Sequence, residues 1–297
     1  MSGVDGVAAS AVELNVVEDV DLVGEAAVAA GGAADGTGTG AGAGAGAGAA
    51  SDAGPAAADG APAYTASVLT TCGYRVDDVS FSGTELVVGC SSLEGKLWDG
   101  RVLICKTTGG SAVAAIATES GVTSVDWASE DNVVCACDSG DILSLRRSVD
   151  DVVLKSAAVF AEHQCTASSV SVHAATGRLA SGSWDATVKV WNIGASNRSL
   201  TTFVGHCGRV SQVKWNAAGS CVASGAEDCT VKLWDPRADS GIMSIAAGSP
   251  VLSLAWNPVC DTQFVVGMED GHVAVFDSRH RKAPCQTVVR GASRVPC

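Results

Sequence analysis

From about Cys72 onward the chain is built of short runs in which apolar and polar residues alternate, rich in Val and Thr and separated by Gly, Ser, Asp and Asn. Runs of that length and period are half-buried strands joined by turns. One strand recurs. It closes as DDVSF at Phe81, TSVDW at Trp127, SVSV at Val172, SQVKW at Trp215 and LSLAW at Trp256, at successive spacings of 46, 45, 43 and 41 residues. A period near 43 is that of a four-stranded blade, whereas leucine-rich and ankyrin repeats are shorter and carry helices. The pattern predicts an all-β propeller over residues 65–297.

A polar set is superposed on this period. His163, Ser181, Asp185 and Trp191 stand 0, 18, 22 and 28 residues along, and His206, Ser224, Asp228 and Trp234 repeat the same offsets. Ser, His and Asp together suggest a hydrolytic triad, but two copies argue for architecture, since a nucleophile is needed once per site, and no G-x-S-x-G elbow is present. The arrangement resembles the WD-repeat family, with Gly205-His206 and Trp234-Asp235 as its two signature pairs and Trp191-Asn192 and Phe276-Asp277 as relaxed versions. The resemblance implies that the four residues form a buried network in which Asp meets His, His meets the Ser hydroxyl and Ser meets the indole N–H.

Charge and composition narrow the remaining choices. Nine of the 32 carboxylates precede Arg75 and no Lys or Arg does; the remaining 23 against 19 bases leave −4 of the total −13. Residues 1–64 are acidic and carry a Gly/Ala alternation from Gly40 to Ala49, with no side chains to build a core, so a disordered leader is expected there. A chain without a basic cluster is not fitted to nucleic acid. There is no basic n-region of a secretory signal and no long apolar span. The 12 cysteines fall without C-x-x-C or zinc spacing, and Cys90, Cys105, Cys135 and Cys221 occupy places suited to small apolar residues. Reduced thiols in the cytoplasm or nucleus are the expectation, with no metal, no cofactor and no catalytic residues.

The stretch Leu86–Lys106 departs from the generic blade: its turn is lengthened by Leu93-Glu94-Gly95-Lys96-Leu97-Trp98-Asp99-Gly100. Together with TESGVTSVDW (Thr118–Trp127) and CDSGDILSL (Cys137–Leu145), it resembles the family of methylosome protein 50, over roughly Cys72 to Val289. Membership would imply a non-catalytic subunit that braces a type II protein arginine methyltransferase and presents basic substrates such as histone tails or Sm proteins. It would place Trp98, with Lys96 and Leu97 beside it, against the enzyme. The residues themselves leave two placements for Trp98: an exposed anchor, or a ring folded onto its own blade.

Two further sets are candidates for binding. The residue before the tight-turn Asp is Trp184, Glu227 and Glu269 in successive blades, a register that recurs on one face of a propeller. Two carboxylates and an aromatic ring there suit an Arg/Lys-rich peptide, and two solvated glutamates with an incidental Trp are the plain reading. Trp234-Asp235-Pro236-Arg237 and Phe276-Asp277-Ser278-Arg279 resemble the W-D-x-R boxes of cullin-RING ubiquitin-ligase substrate receptors, with Arg237 and Arg279 as the contact residues. Finally, the family's ring has seven blades, whereas the 226 residues from Cys72 supply about five, so the chain is expected to be incomplete at its C-terminal end, the alternative being a ring that closes with fewer blades.

Overall fold

A computed structural model describes residues 74–94, 97–107, 112–147, 153–238, 241–279, 284 and 286–289. The expected leader, 1–64, and Lys96 lie outside the described residues. The chain forms five four-stranded antiparallel sheets, each a simple meander. Blade one holds β1 (Arg75–Ser82), β2 (Glu85–Glu94), β3 (Leu97–Lys106) and β4 (Ala112–Thr118). Blade two holds β5 (Val122–Ser129), β6 (Asn132–Cys137), β7 (Ile142–Arg147) and β8 (Leu154–Phe160). Blade three holds β9 (Ala167–His173), β10 (Arg178–Ser183), β11 (Thr187–Asn192) and β12 (Thr201–Val204). Blade four holds β13 (Val210–Trp215), β14 (Val222–Ala226), β15 (Thr230–Trp234) and β16 (Gly241–Ala246). Blade five holds β17 (Val251–Trp256), β18 (Gln263–Met268), β19 (His272–Asp277) and β20 (Gln286–Val289).

The first strands form an inner row, each packed on the next in chain order. Every one of them carries an irregularity at the same place, leaving Asp77, Thr123, Ser168, Ser211 and Leu252 outside the ladder. A bulge frees a side chain from the alternation and turns it sideways. In the middle three blades the freed hydroxyl bridges two blades: Ser168 Oγ lies 3.1 Å from the Gly182 carbonyl of its own blade and 2.6 Å from the Val210 carbonyl of the next. Thr123 bridges Ala136 and Ala167 in the same way, and Ser211 bridges Gly225 and Val251.

The following inner positions supply acceptors. Asp78 takes the Ser124 hydroxyl and the Val125 N–H, Asp126 takes the Val172 N–H, and Ser171 takes the Trp215 N–H. Inner strands of neighbouring blades share no ladder, so these side chains satisfy backbone donors that would otherwise be buried unpaired. Close approach is completed by a small residue on the second strand. A Cβ on Gly225 would stand 2.2 Å from a Val251 methyl of the next blade.

Apolar residues fill the blade interfaces. Val122, Val210 and Val251 are fully buried, and Trp127 and Trp215 nearly so. On blade one the corresponding Val76 and Phe81 are 55% and 68% exposed, because among the described residues no sheet packs on that face comparably to the others.

Candidate functional site: the face bearing the tight turns

The second and third strands of each blade are joined at one end of the array, and here the sequence repeat becomes a surface. Gly89, Ala136, Gly182, Gly225 and Gly267 each pair with the inner residue that follows the bulge. Two residues further on stand Ser91, Asp138, Trp184, Glu227 and Glu269. The last four are fixed alike, each main-chain N–H bonding a carbonyl in the loop before the inner strand: Gly121, Thr166, Arg209 and Pro250. The turns then need a left-handed residue, which is Gly140 and Gly271 in two blades but Ala186 (φ 65°) and Cys229 (φ 60°) in the others. Asp185 and Asp228 hold those two turns, Asp185 taking the Thr187 N–H at 2.9 Å and Asp228 the Thr230 N–H at 3.0 Å.

The paired polar sets lie just beneath. Trp191 Nε1–H donates to Ser181 Oγ at 2.8 Å, the Ser181 hydroxyl meets His163 Nε2 at 2.8 Å, and His163 Nδ1 meets Asp185 at 3.0 Å. In the next blade Trp234, Ser224, His206 and Asp228 repeat this at 2.7, 2.7 and 2.9 Å. With the indole donating to Ser, the Ser proton goes to His Nε2 and the His proton to Asp, which assigns a neutral ring protonated on Nδ1. Both serines are completely buried. A hydroxyl that already accepts from an indole and has no path to solvent is badly placed as a nucleophile. Where a blade lacks the set, both ends change together. Blade two has Cys135 and Leu145 at the Ser and Trp positions, and blade five has Val266 and Phe276, so neither retains an indole donor there.

The network sets a pH dependence. Burial pushes His163 and His206 below the ordinary 6.5, outweighing the pull of Asp185 and Asp228. For the two aspartates burial acts upward, but hydrogen bonds from Thr187, Gln164 and His163, and from Thr230, Cys207 and His206, win and hold each at about 2. All four groups have depressed folded values, so unfolding takes up protons and acid destabilises. Stability is therefore complete above about pH 6.5, falls as the histidines resist protonation below it, and falls again below about 3.8. Urea midpoints measured from pH 7.5 to 5 are expected to decline; a flat profile contradicts the assignment.

The insertion of blade one is a strand extension, where the sequence suggested a lengthened turn. Ladder pairing continues past Ser91↔Gly100 through Ser92↔Asp99, Leu93↔Trp98 and Glu94↔Leu97. The three added pairs carry the hairpin about 10 Å beyond the other turns. Tyr74 anchors its base, donating to Asp99 at 2.9 Å while Arg101 lies 4.6 Å over its ring.

Trp98 leans onto blade two, neither free in a loop nor folded on its own blade. Its indole N–H meets the Asp138 carboxylate, whose pKa burial raises and this bond lowers. A Cβ on Gly121 would stand 2.0 Å from the indole nitrogen, so only glycine admits the ring there. The ring remains 43% exposed. Asp138 is the blade-two member of the pre-turn register, so the hairpin and the Trp184–Glu227–Glu269 row share one face.

Trp184 is 45% exposed, and Glu227 and Glu269 are exposed. Basic charge lies beside Glu227: Arg209 is 4.5 Å over the Trp184 ring and 4.0 Å from the Glu227 carboxylate. Arg237 and Arg279 are at the other end of the blades, beyond the third strands. Arg237 grips Asp235 with two hydrogen bonds (2.9 and 2.7 Å), and Arg279 grips Asp277 (2.9 and 2.6 Å). Main-chain pairing places Leu97 at the hairpin tip.

Two stretches, 154–192 and 197–235, match the WD40 family (WD domain, G-beta repeat). The chain carries WD40 repeats. The first matched stretch starts with the outer strand β8 and the second just before the outer strand β12, and each ends at the third strand of the next blade. Each thus contains one complete His–Ser–Asp–Trp set, and the repeat runs one strand out of phase with the blade. The chain is also 30% identical over 113 residues to the methylosome protein WDR77 of Xenopus laevis, covering 36% of this chain and 34% of that protein. The chain thus matches about a third of the length of this curated relative.

Proposed function

We propose that this chain is a non-catalytic scaffold subunit of a protein arginine methyltransferase complex, working in the cytoplasm and nucleus. It braces a type II enzyme and presents basic substrates, such as histone or Sm-protein segments. The observation that carries the reading is the Trp98 hairpin: a half-exposed indole held on a rigid two-stranded arm above a repeat surface. An aromatic ring fixed in place before binding loses little entropy on docking, which is what makes such residues interface anchors. The likeness to a methylosome WD-repeat protein supports the same reading, as do WD40 repeats whose Ser–His–Asp sets are closed to substrate.

A second reading is favoured by the two exposed arginines at the opposite end, Arg237 held by Asp235 and Arg279 held by the buried Asp277, which suit a cullin-RING ligase adaptor. Affinity capture from cell extract separates the two. Recovery of a type II methyltransferase, lost on Trp98→Ala and kept on Arg237→Ala/Arg279→Ala, is the expected result. Recovery of the ligase adaptor with the reverse dependence would replace the first reading by the second.

A further inference from the structure

We propose that Trp184 and Glu227 form a guanidinium-binding subsite which the chain's own Arg209 occupies, so that an arginine of an incoming segment binds by taking its place. This rests on the proposed reading only in bringing a basic partner to this face. The parts of the subsite come from two blades. Trp184 directly follows the second strand of blade three, and Glu227 directly follows that of blade four. Arg209 belongs to the loop that enters blade four. Its guanidinium lies 4.5 Å from the Trp184 ring centroid and 4.0 Å from Glu227. A planar cation over an aromatic face with a carboxylate at its edge is the arrangement by which arginine is recognised.

Two properties make Arg209 a displaceable occupant. Its contacts are weak: a carboxylate at 4.0 Å, with the Arg209 and Glu227 side chains each 54% exposed, is a solvated pair screened by salt. The cradle also exists without it. The Trp184 N–H is bonded to the Thr166 carbonyl, and the Glu227 N–H to the Arg209 carbonyl, so both residues are positioned by main chain. Further carboxylates border the same face, Asp138 and Glu269 in the same register and Asp270 beside them, the last paired with His272.

Competition of this kind reduces apparent affinity by the fraction of time the subsite is free. An occupant present most of the time imposes roughly a three- to tenfold penalty on an incoming arginine. The test uses the full chain and a labelled Gly-Arg-Gly repeat peptide, with its lysine counterpart, in fluorescence anisotropy at low and physiological salt. Arg209→Ala is expected to tighten the arginine peptide by that factor and the lysine peptide less. Arg198→Ala, which removes the same charge beyond the third strand of blade three, is expected to leave both unchanged. Trp184→Ala or Glu227→Gln added to Arg209→Ala is expected to cancel the gain. Unchanged or weaker binding by Arg209→Ala overturns the proposal, as does no measurable binding, or a gain that is equal for both peptides and survives Trp184→Ala. Methyltransferase capture by the same variants reports separately on the scaffold reading, because the Trp98 hairpin is untouched in all of them.

Discussion

Trp98→Ala is expected to weaken methyltransferase binding by thirtyfold or more, about 2 kcal/mol, the scale of a central aromatic anchor. The hairpin that carries Trp98 is laddered to its tip, so the substitution removes the ring without removing the arm. What remains at the site is Asp138, half-buried and without its indole partner, beside a glycine that leaves the space open. The cost to folding is small, because the ring is 43% exposed and joins no core cluster among the described residues. Calorimetric titration of the enzyme into each variant gives the affinity, and a thermal melt gives the fold. Trp98→Phe keeps the apolar surface but loses the N–H that orients it, and should fall between the two. Equal affinity for wild type and Trp98→Ala, with both folded, would remove the hairpin from the interface.

Ser224→Ala is expected to destabilise the fold by roughly 2–4 kcal/mol, far more than the loss of one buried hydroxyl would suggest. The hydroxyl is the shared partner of two rigid groups: it accepts from the Trp234 indole and meets His206 Nε2, both at 2.7 Å. Removing it leaves a donor and an acceptor unpaired in a site with no access to water. Blade five shows the alternative arrangement, with Val266 and Phe276 in these places and no indole to satisfy. Adding Trp234→Phe to Ser224→Ala should therefore cost less than the sum of the single changes, with a coupling of about 1 kcal/mol. Urea unfolding of the four species measures it. Strict additivity would mean that the hydroxyl and the indole do not share one network.

The repeat was legible because its cause recurs in every blade. The ends of the inner strands at Phe81, Trp127, Val172, Trp215 and Trp256 mark one register, and burial of one face every second residue writes it into the sequence. The pre-turn row of Trp184, Glu227 and Glu269 was legible for the same reason. Asp138 belongs to that row, but blade two has Ser139 where blades three to five carry the turn aspartate, so the cue was absent.

Arg209 carried no cue at all. It lies in the loop between blades, whose length varies, and its contact with Trp184 crosses a blade boundary. The Trp98 insertion was visible as a departure from the repeat, but its form was not. Gly95 and Gly100 suggest a loop, whereas cross-strand pairing from Ser92↔Asp99 to Glu94↔Leu97 carries the ladder through it. The Trp98–Asp138 bond joins residues 40 positions apart on different blades, a contact that no local pattern specifies.

Hydrogen exchange of the chain with and without the purified type II methyltransferase tests the central claim most directly. Amides of residues 92–99 and of the neighbouring 119–121 and 138–140 are predicted to become protected in the complex, while 235–237 and 277–279 exchange as before. Protection confined to the Arg237 and Arg279 end, or no protection at the hairpin under saturating enzyme, would contradict it.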